Sequence, residues 1–232
     1  MKGEIHEDVA LRDRAPVFRG REEAGELLGR FLAGFPGLDD PLACPIPSGG
    51  VPIGIAVARA LGCPVRAVIV RKVQVPGNTE SGFGAVAWDG RVFLNEALLD
   101  GLGLSPAQVE AAVGKAKRSV RERVERFGPG AGPAPGFGGR SCILLDDGLA
   151  SGFTMAAACG ALRPLGPKRI IVAVPTGSLA AVRRVALVAD EVICLNIRTG
   201  PCFAVADAYE EWYDIADGDA ARMLRGGGTV DR

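Results

Sequence analysis

A chain of 232 residues with 48% apolar side chains holds enough material for a full core, which excludes disorder over its length. Lysine plus arginine equals aspartate plus glutamate at 27 each, so no global charge points to nucleic acid or to an acidic solvating segment. No apolar run reaches the length of a bilayer span, and the charged stretch Lys2 to Arg14 has no apolar signal core, so a cytoplasmic protein with no membrane partner is expected.

Arg21 to Phe35 places Ala24, Leu27, Leu28, Phe31 and Leu32 at helical spacing. Leu42 to Ile46 is a short buried strand, Pro47-Ser48-Gly49-Gly50 a turn, Val51 to Leu61 a helix and Val65 to Val70 a strand. Strand, turn, helix, strand is the unit of a parallel sheet. Arg71 to Gly90 is glycine-rich, contains Pro76 and lacks periodicity, so a functional loop or small hood is expected there. Arg91 to Leu94 reads as a strand.

Pro106 to Phe127 is the strongest helix, with Val109, Val113, Ala116, Val120, Val124 and Phe127 on one stripe. Its remaining lysines and arginines, Arg123 among them, read as a solvated face, with a nucleic-acid patch as the alternative. Gly128 to Gly139 is a Gly/Pro linker. Strands at Ser141 to Leu145, Arg169 to Val174 and Glu191 to Leu195 then alternate with helices at Thr154 to Leu162 and Leu179 to Val188. Aromatics gather between Phe203 and Tyr213, as core or interface or as a substrate platform, and Gly226 to Arg232 reads as frayed. The alternation predicts an α/β fold: an open, mostly parallel sheet flanked by helices, with a hood and an inserted helix.

Two chemistries are removed by counting. His6 is the only histidine, which excludes histidine-based triads and His-rich metal sites. Six cysteines without a C-x-x-C pair read as small buried hydrophobes rather than as a disulfide framework.

The informative stretch is Cys142 to Thr154. An apolar strand ends in Asp146 and Asp147, then a small-residue turn, Ala150-Ser151-Gly152-Phe153-Thr154, opens a helix. Two acids at a buried strand end are costly unless they bind something; capping the next helix is the plainer alternative. The turn presents backbone N–H groups and hydroxyls to an anion. A sugar phosphate would satisfy both halves.

This pattern resembles the binding signature of type I phosphoribosyltransferases, with Ser151-Gly152-Phe153-Thr154 in place of the family's Thr-Gly-x-Thr. Gly49-Gly50-Val51-Pro52, Arg71-Lys72, Pro76-Gly77-Asn78 and Asp146 to Gly152 extend the likeness to a group of bacterial phosphoribosyltransferase-like proteins, over Val17 to Tyr213. The resemblance implies one domain over residues 1–215, with a hood loop at 73–90, an inserted helix at 105–127 and a C-terminal tail at 216–232. It implies that Asp146 and Asp147 hold the ribose hydroxyls, directly or through Mg²⁺. Ala150, Ser151, Gly152, Phe153 and Thr154 would wrap the 5-phosphate. Ser48, Gly49 and Gly50 would form the pyrophosphate loop, where the family often has a non-proline cis peptide. Arg71 and Lys72 would meet pyrophosphate charge and count with the aspartates as catalytic.

Each of these has a plain alternative as well: an ordinary βα turn at Ser48 to Gly50 and a solvated strand end at Arg71-Lys72. Two departures stand out. Ser48 replaces the Lys or Arg usual in the first loop, and Ala150 replaces the aspartate of enzymes acting on 6-oxopurines. The implied activity is transfer of phosphoribosyl from 5-phosphoribosyl 1-diphosphate, with Mg²⁺, to a small nitrogen-containing acceptor, in a homodimer by analogy. The alternative is a non-catalytic regulator that senses the donor or a nucleotide. A Rossmann enzyme is disfavoured, since the first turn lacks G-x-G-x-x-G.

Overall fold

The computed structural model describes residues 3–128, 131 and 136–227; the middle of the expected linker and the last residues of the chain lie outside this range. The central sheet has five parallel strands in the order β1-β8-β7-β6-β2. These are β1 (Glu4–His6), β2 (Pro41–Pro45), β6 (Ser141–Leu145), β7 (Arg169–Ser178) and β8 (Glu191–Arg198). Every residue of β6 is buried, as a central strand covered on both faces requires. His6, expected in a loose charged segment, lies in edge strand β1 and pairs with Glu191 at 2.7 Å.

Helices α1 (Arg21–Ala33), α2 (Gly50–Leu61), α5 (Phe153–Leu162) and α6 (Leu179–Val185) cover the sheet. α1 and α2 pack closely because Gly25 and Gly29 remove side chains at the contact; a Cβ at Gly25 would lie 2.8 Å from that of Ala56. Residues 65–69 run beside β2, with the Arg66 and Val68 N–H groups donating to the Ala43 and Pro45 carbonyls, but form only an isolated bridge there. All six cysteines are free thiols, five of them buried.

The expected loop at 71–90 is instead a hairpin. β3 (Val70–Val75) pairs antiparallel with β4 (Asn78–Ala87), and β4 pairs with β5 (Val92–Leu94). Val73, Phe83, Ala85, Val86 and Ala87 are in the core. The glycines that read as loop are close-approach residues within a strand: a Cβ at Gly84 would lie 2.5 Å from the Phe93 carbonyl oxygen and 2.8 Å from Leu94 Cδ2. A short helix the sequence reading missed, α3 (Glu96–Leu102), follows, capped by Asn95. α4 (Pro106–Phe127) has the expected bounds; Ser105 and Gln108 form a capping box at its start. It packs on β3 and β4, while α7 (Asp217–Gly227) packs on α2 and α4.

Gly84→Val is expected to cost about 1–3 kcal/mol by overpacking. Urea unfolding followed by circular dichroism measures this; an unchanged midpoint would show that the hairpin does not depend on this close approach.

Candidate functional site

Three segments meet at the carboxyl end of the parallel sheet, where open α/β sheets bind ligands. β2 runs into the loop 46–49 and α2, β6 into Asp146 to Gly152 and α5, and β7 into Ser178 and α6. The second segment is tied down by backbone pairing. The Leu149 N–H donates to the Thr176 carbonyl (2.9 Å) and the Ser178 N–H to the Leu149 carbonyl (3.0 Å). The Ser178 hydroxyl donates to the Ala150 carbonyl at 2.9 Å, and Arg184 donates to that of Ser151. Gly152 adopts φ +76° at the helix start, a conformation glycine takes without strain.

Asp146, Gly148, Ala150, Ser151, Gly152 and Thr154 line one cavity of about 210 Å³, with Lys72 on its border. This brings one acid, the turn and one cation of the sequence-derived set together. The Phe153 ring instead lies under the Arg184 guanidinium, 4.4 Å from its centre, and does not line the cavity.

The two aspartates diverge. Asp146 accepts the backbone N–H of Asp147 at 2.9 Å and faces the cavity. Burial pushes its carboxyl well above the usual range, and the neighbouring Asp147 charge adds to this. Asp147 turns toward the first loop and α1, where its Oδ2 accepts from Arg21 Nε at 2.9 Å. Burial raises Asp147 too, with the Arg21 charge opposing. A Cβ at Gly49 would overlap the Asp147 carboxylate, and one at Gly50 would lie 2.6 Å from the Leu145 carbonyl oxygen. Glycine at both positions lets the first loop lie directly on the acidic edge.

Arg21 was not singled out by the sequence, where nothing separates it from other helical arginines. Residues 17–19 pair with 208–211: the Phe18 N–H donates to the Ala208 carbonyl and the Glu210 N–H to that of Phe18. This sets Arg21 against the aromatic cluster. Its guanidinium lies 3.8 Å from the centre of the Trp212 ring and donates to the Tyr213 carbonyl. The Tyr209 hydroxyl donates to the Asp147 carbonyl at 2.6 Å. Three of the clustered aromatics thus brace the acidic edge. Removing Arg21 alone would leave a buried carboxylate without its partner, a loss of about 3–5 kcal/mol for pairs of this kind.

The Pro47–Ser48 peptide is cis. Ser48 donates to Asp217 Oδ1 at 2.6 Å. Arg123 of α4 donates to the Pro47 carbonyl (3.1 Å), to the Ser48 hydroxyl (3.0 Å) and through Nε to Asp217 Oδ2 (2.7 Å). This corrects the reading of Arg123 as a solvated residue; it is 7% exposed. The spacing contained the signal, since Ala116, Val120, Arg123 and Phe127 share one face. The first loop therefore has a cation beside it, supplied from a distant helix. Asp217, 94 positions away from Arg123, had no local signal. Hydrogen bonds from Arg123 and Ser48, with the Arg123 and Arg71 charges, hold its carboxyl down at about 2.

The phosphoribosyl transferase domain family matches residues 41–204, well over half of the chain. The chain belongs to the type I phosphoribosyltransferase family. Two Mycobacterium tuberculosis proteins that carry the provisional name of phosphoribosyl transferase, Rv0571c of strain H37Rv and MT0597 of strain CDC 1551, are 35% identical over 208 residues. That is 90% of this chain and 46% of each relative, so the chain spans about half the length of the curated relatives it matches. The crystal structure of TT1426 from Thermus thermophilus is 35% identical, with a TM-score of 0.75 over 91% of this chain and 99% of that one.

Asp217 lends stability to the fold that is complete above its unfolded value near 4 and lost as pH falls through about 2. Asp217→Asn is therefore expected to lower the thermal midpoint at pH 7, with the gap from the unsubstituted protein closing between pH 4 and 2. Calorimetric scans across that range check this; a gap independent of pH would remove the ion pair as its cause.

Proposed function

We propose that the chain transfers phosphoribosyl from 5-phosphoribosyl 1-diphosphate to a nitrogen-containing acceptor. One observation carries the reading: Asp146, the turn Ala150 to Gly152 and Thr154, and Lys72 surround a single cavity at the carboxyl edge of the sheet. A carboxylate at one side and a helix-opening turn at the other match a ribose hydroxyl and its 5-phosphate. Ser48, Gly49 and Gly50 lie against the acids and offer a close backbone approach to pyrophosphate. Arg71 and Arg123 add charge near that loop.

The donor set suits Mg²⁺, a hard ion taken by one or two carboxylates together with substrate oxygens. Asp146 is the fitting ligand, since burial and Asp147 leave its own charge poorly compensated; Asp147, already paired with Arg21, fits an indirect role. When bound, the ion would neutralise charge on the diphosphate leaving group.

The protein's own part is positioning and charge stabilisation. The acidic edge orients the ribose, and the turn fixes its phosphate. As the acceptor nitrogen bonds to C1, the C1–oxygen bond breaks and its electron pair leaves with pyrophosphate. The nitrogen's proton passes to solvent. Lys72 and Arg71, at the base of the β3–β4 hairpin, face the negative charge that builds on the leaving group.

A pyrophosphate-release assay with the donor, Mg²⁺ and a panel of bases, amides and amines tests the reading. Release with one acceptor supports transfer. Tight donor binding without release on any acceptor would favour a donor-sensing regulator, and absence of donor binding would remove both.

The acids also separate binding from stability. Because burial raises Asp146, its ionised form opposes folding: that cost is absent below the unfolded value near 4 and grows as pH rises through the folded value. Asp146→Asn is expected to match or exceed the unsubstituted protein in thermal midpoint at pH 7 while losing donor affinity by about 100-fold or more, which is at least ~2.7 kcal/mol. Scanning calorimetry and titration calorimetry give the two readings. Retained donor affinity in the variant would overturn the ribose assignment.

A further inference from the structure

The hydroxyl and the cation beside the first loop already hold an anion from within the chain. It is the carboxylate of Asp217, the first residue of α7. The Ser48 hydroxyl donates to its Oδ1 at 2.6 Å, Arg123 Nε donates to its Oδ2 at 2.7 Å, and Arg123 Nη2 donates to Oδ1 as well. Arg126 Nη1 stands 3.6 Å from Oδ2. One carboxylate thus takes a guanidinium fork, a hydroxyl and a second guanidinium. Its charge is also felt at Arg71: burial, and then the Arg123 charge, hold that guanidinium below its ordinary value, and Asp217 opposes them.

Such a set of donors is not particular to a carboxylate. An arginine fork and a hydroxyl donate equally well to two oxygens of a phosphate group. The seat adjoins the backbone read above as the approach for pyrophosphate: Ser48 precedes Gly49 and Gly50, whose bare Cα atoms lie against Asp147 and Asp146. A diphosphate brought to that backbone meets Ser48 and Arg123 with Asp217 in place, and two anions on one seat repel. Hydrogen bonds from Arg123 and Ser48 hold the Asp217 carboxyl down at about 2, so it is an anion throughout the neutral range.

The segment that carries Asp217 is built to give way. Residues 212–216 have no regular structure, and all but Ile215 are exposed. The buried anchors of α7 are Ala220, Ala221 and Leu224, so its first three residues lie short of the packed part. The same stretch of chain touches the acidic edge: the Tyr209 hydroxyl donates to the Asp147 carbonyl, and the Tyr213 carbonyl accepts from Arg21. The chain after β8 therefore runs as a strap from the acids to the first loop.

Resting on the phosphoribosyl-transfer reading, we propose that Asp217 is an internal stand-in for the diphosphate: it fills the oxyanion seat of Ser48 and Arg123 in the free protein and is displaced when the donor or pyrophosphate arrives. The C-terminal strap thereby sets donor affinity. A seat that is open for only a fraction of the time lowers apparent affinity by that fraction. Displacement loosens the start of α7, and the incoming phosphate oxygens take over the bonds to Ser48 and Arg123.

Titration calorimetry on the full chain tests this with pyrophosphate and with 5-phosphoribosyl 1-diphosphate, each with Mg²⁺. With the competing charge removed, Asp217→Asn is expected to bind both about tenfold more tightly than the unsubstituted protein. Asp219→Asn removes the same charge from the same turn, where the carboxylate meets Arg222 and not the seat, and should keep both affinities within about twofold. Hydrogen exchange on the unsubstituted protein supplies a readout that a long-range charge effect would not move, and it needs no variant to fold. Pyrophosphate should speed exchange of the Asp219 and Ala220 amides, which donate to the Ala216 carbonyl. Unchanged or weaker binding by Asp217→Asn would overturn the proposal and make Asp217 a positioning residue for Arg123. An equal gain in Asp219→Asn, or exchange at the start of α7 that pyrophosphate leaves unchanged or slows, would overturn it too. If neither ligand binds the unsubstituted protein or Asp217→Asn, the donor reading falls and the stand-in with it. Donor binding that is indifferent to Asp217 keeps that reading and removes only the stand-in.

Discussion

The structure is organised around a carboxylate pair whose burial disfavours its own ionised form. Asp146 and Asp147 sit where β6 leaves the core, and burial raises the cost of ionising both. Several neighbours hold that edge in place. Gly49 and Gly50 bring the first loop onto it, Arg21 takes the outer charge, and Tyr209 fixes the Asp147 carbonyl. One carboxylate of this pair is left facing a cavity and a helix-opening turn.

A second network keeps the first loop in register with the edge. Arg123 reaches from α4 to the Pro47 carbonyl and the Ser48 hydroxyl, and Asp217 at the start of α7 joins Arg123 and Ser48. The inserted helix and the C-terminal helix are therefore not appendages. They carry charge to a loop whose own residues have none. Removing either partner would leave the other as a poorly compensated charge in a part-buried place, which couples loop geometry to the ends of the domain.

Much of this was legible from local pattern. The run Cys142 to Leu145 followed by two acids and a glycine-containing turn pointed to the central strand, the carboxyl-edge position and the helix start, because each depends on neighbours within a few residues. The helix over 106–127 was equally plain. The hairpin at 71–90 was misread because Gly82 and Gly84 look like loop residues until their neighbours are known. In the folded chain they are flat spots where Lys72 and Phe93 press against β4. Arg123 was readable from its place on the buried stripe, but its charge argued the other way.

By itself, the sequence determined the class of fold, the acidic strand end and the turn beside it, since these are matters of spacing along the backbone. Only the tertiary structure decided which further arginines meet the acidic edge and the first loop. Arg21 lies 126 positions from Asp147 and Arg123 lies 75 from Ser48. Such pairs form because the chain returns to the same edge after many elements, and an arginine's position on a helix carries no record of what will be packed against it.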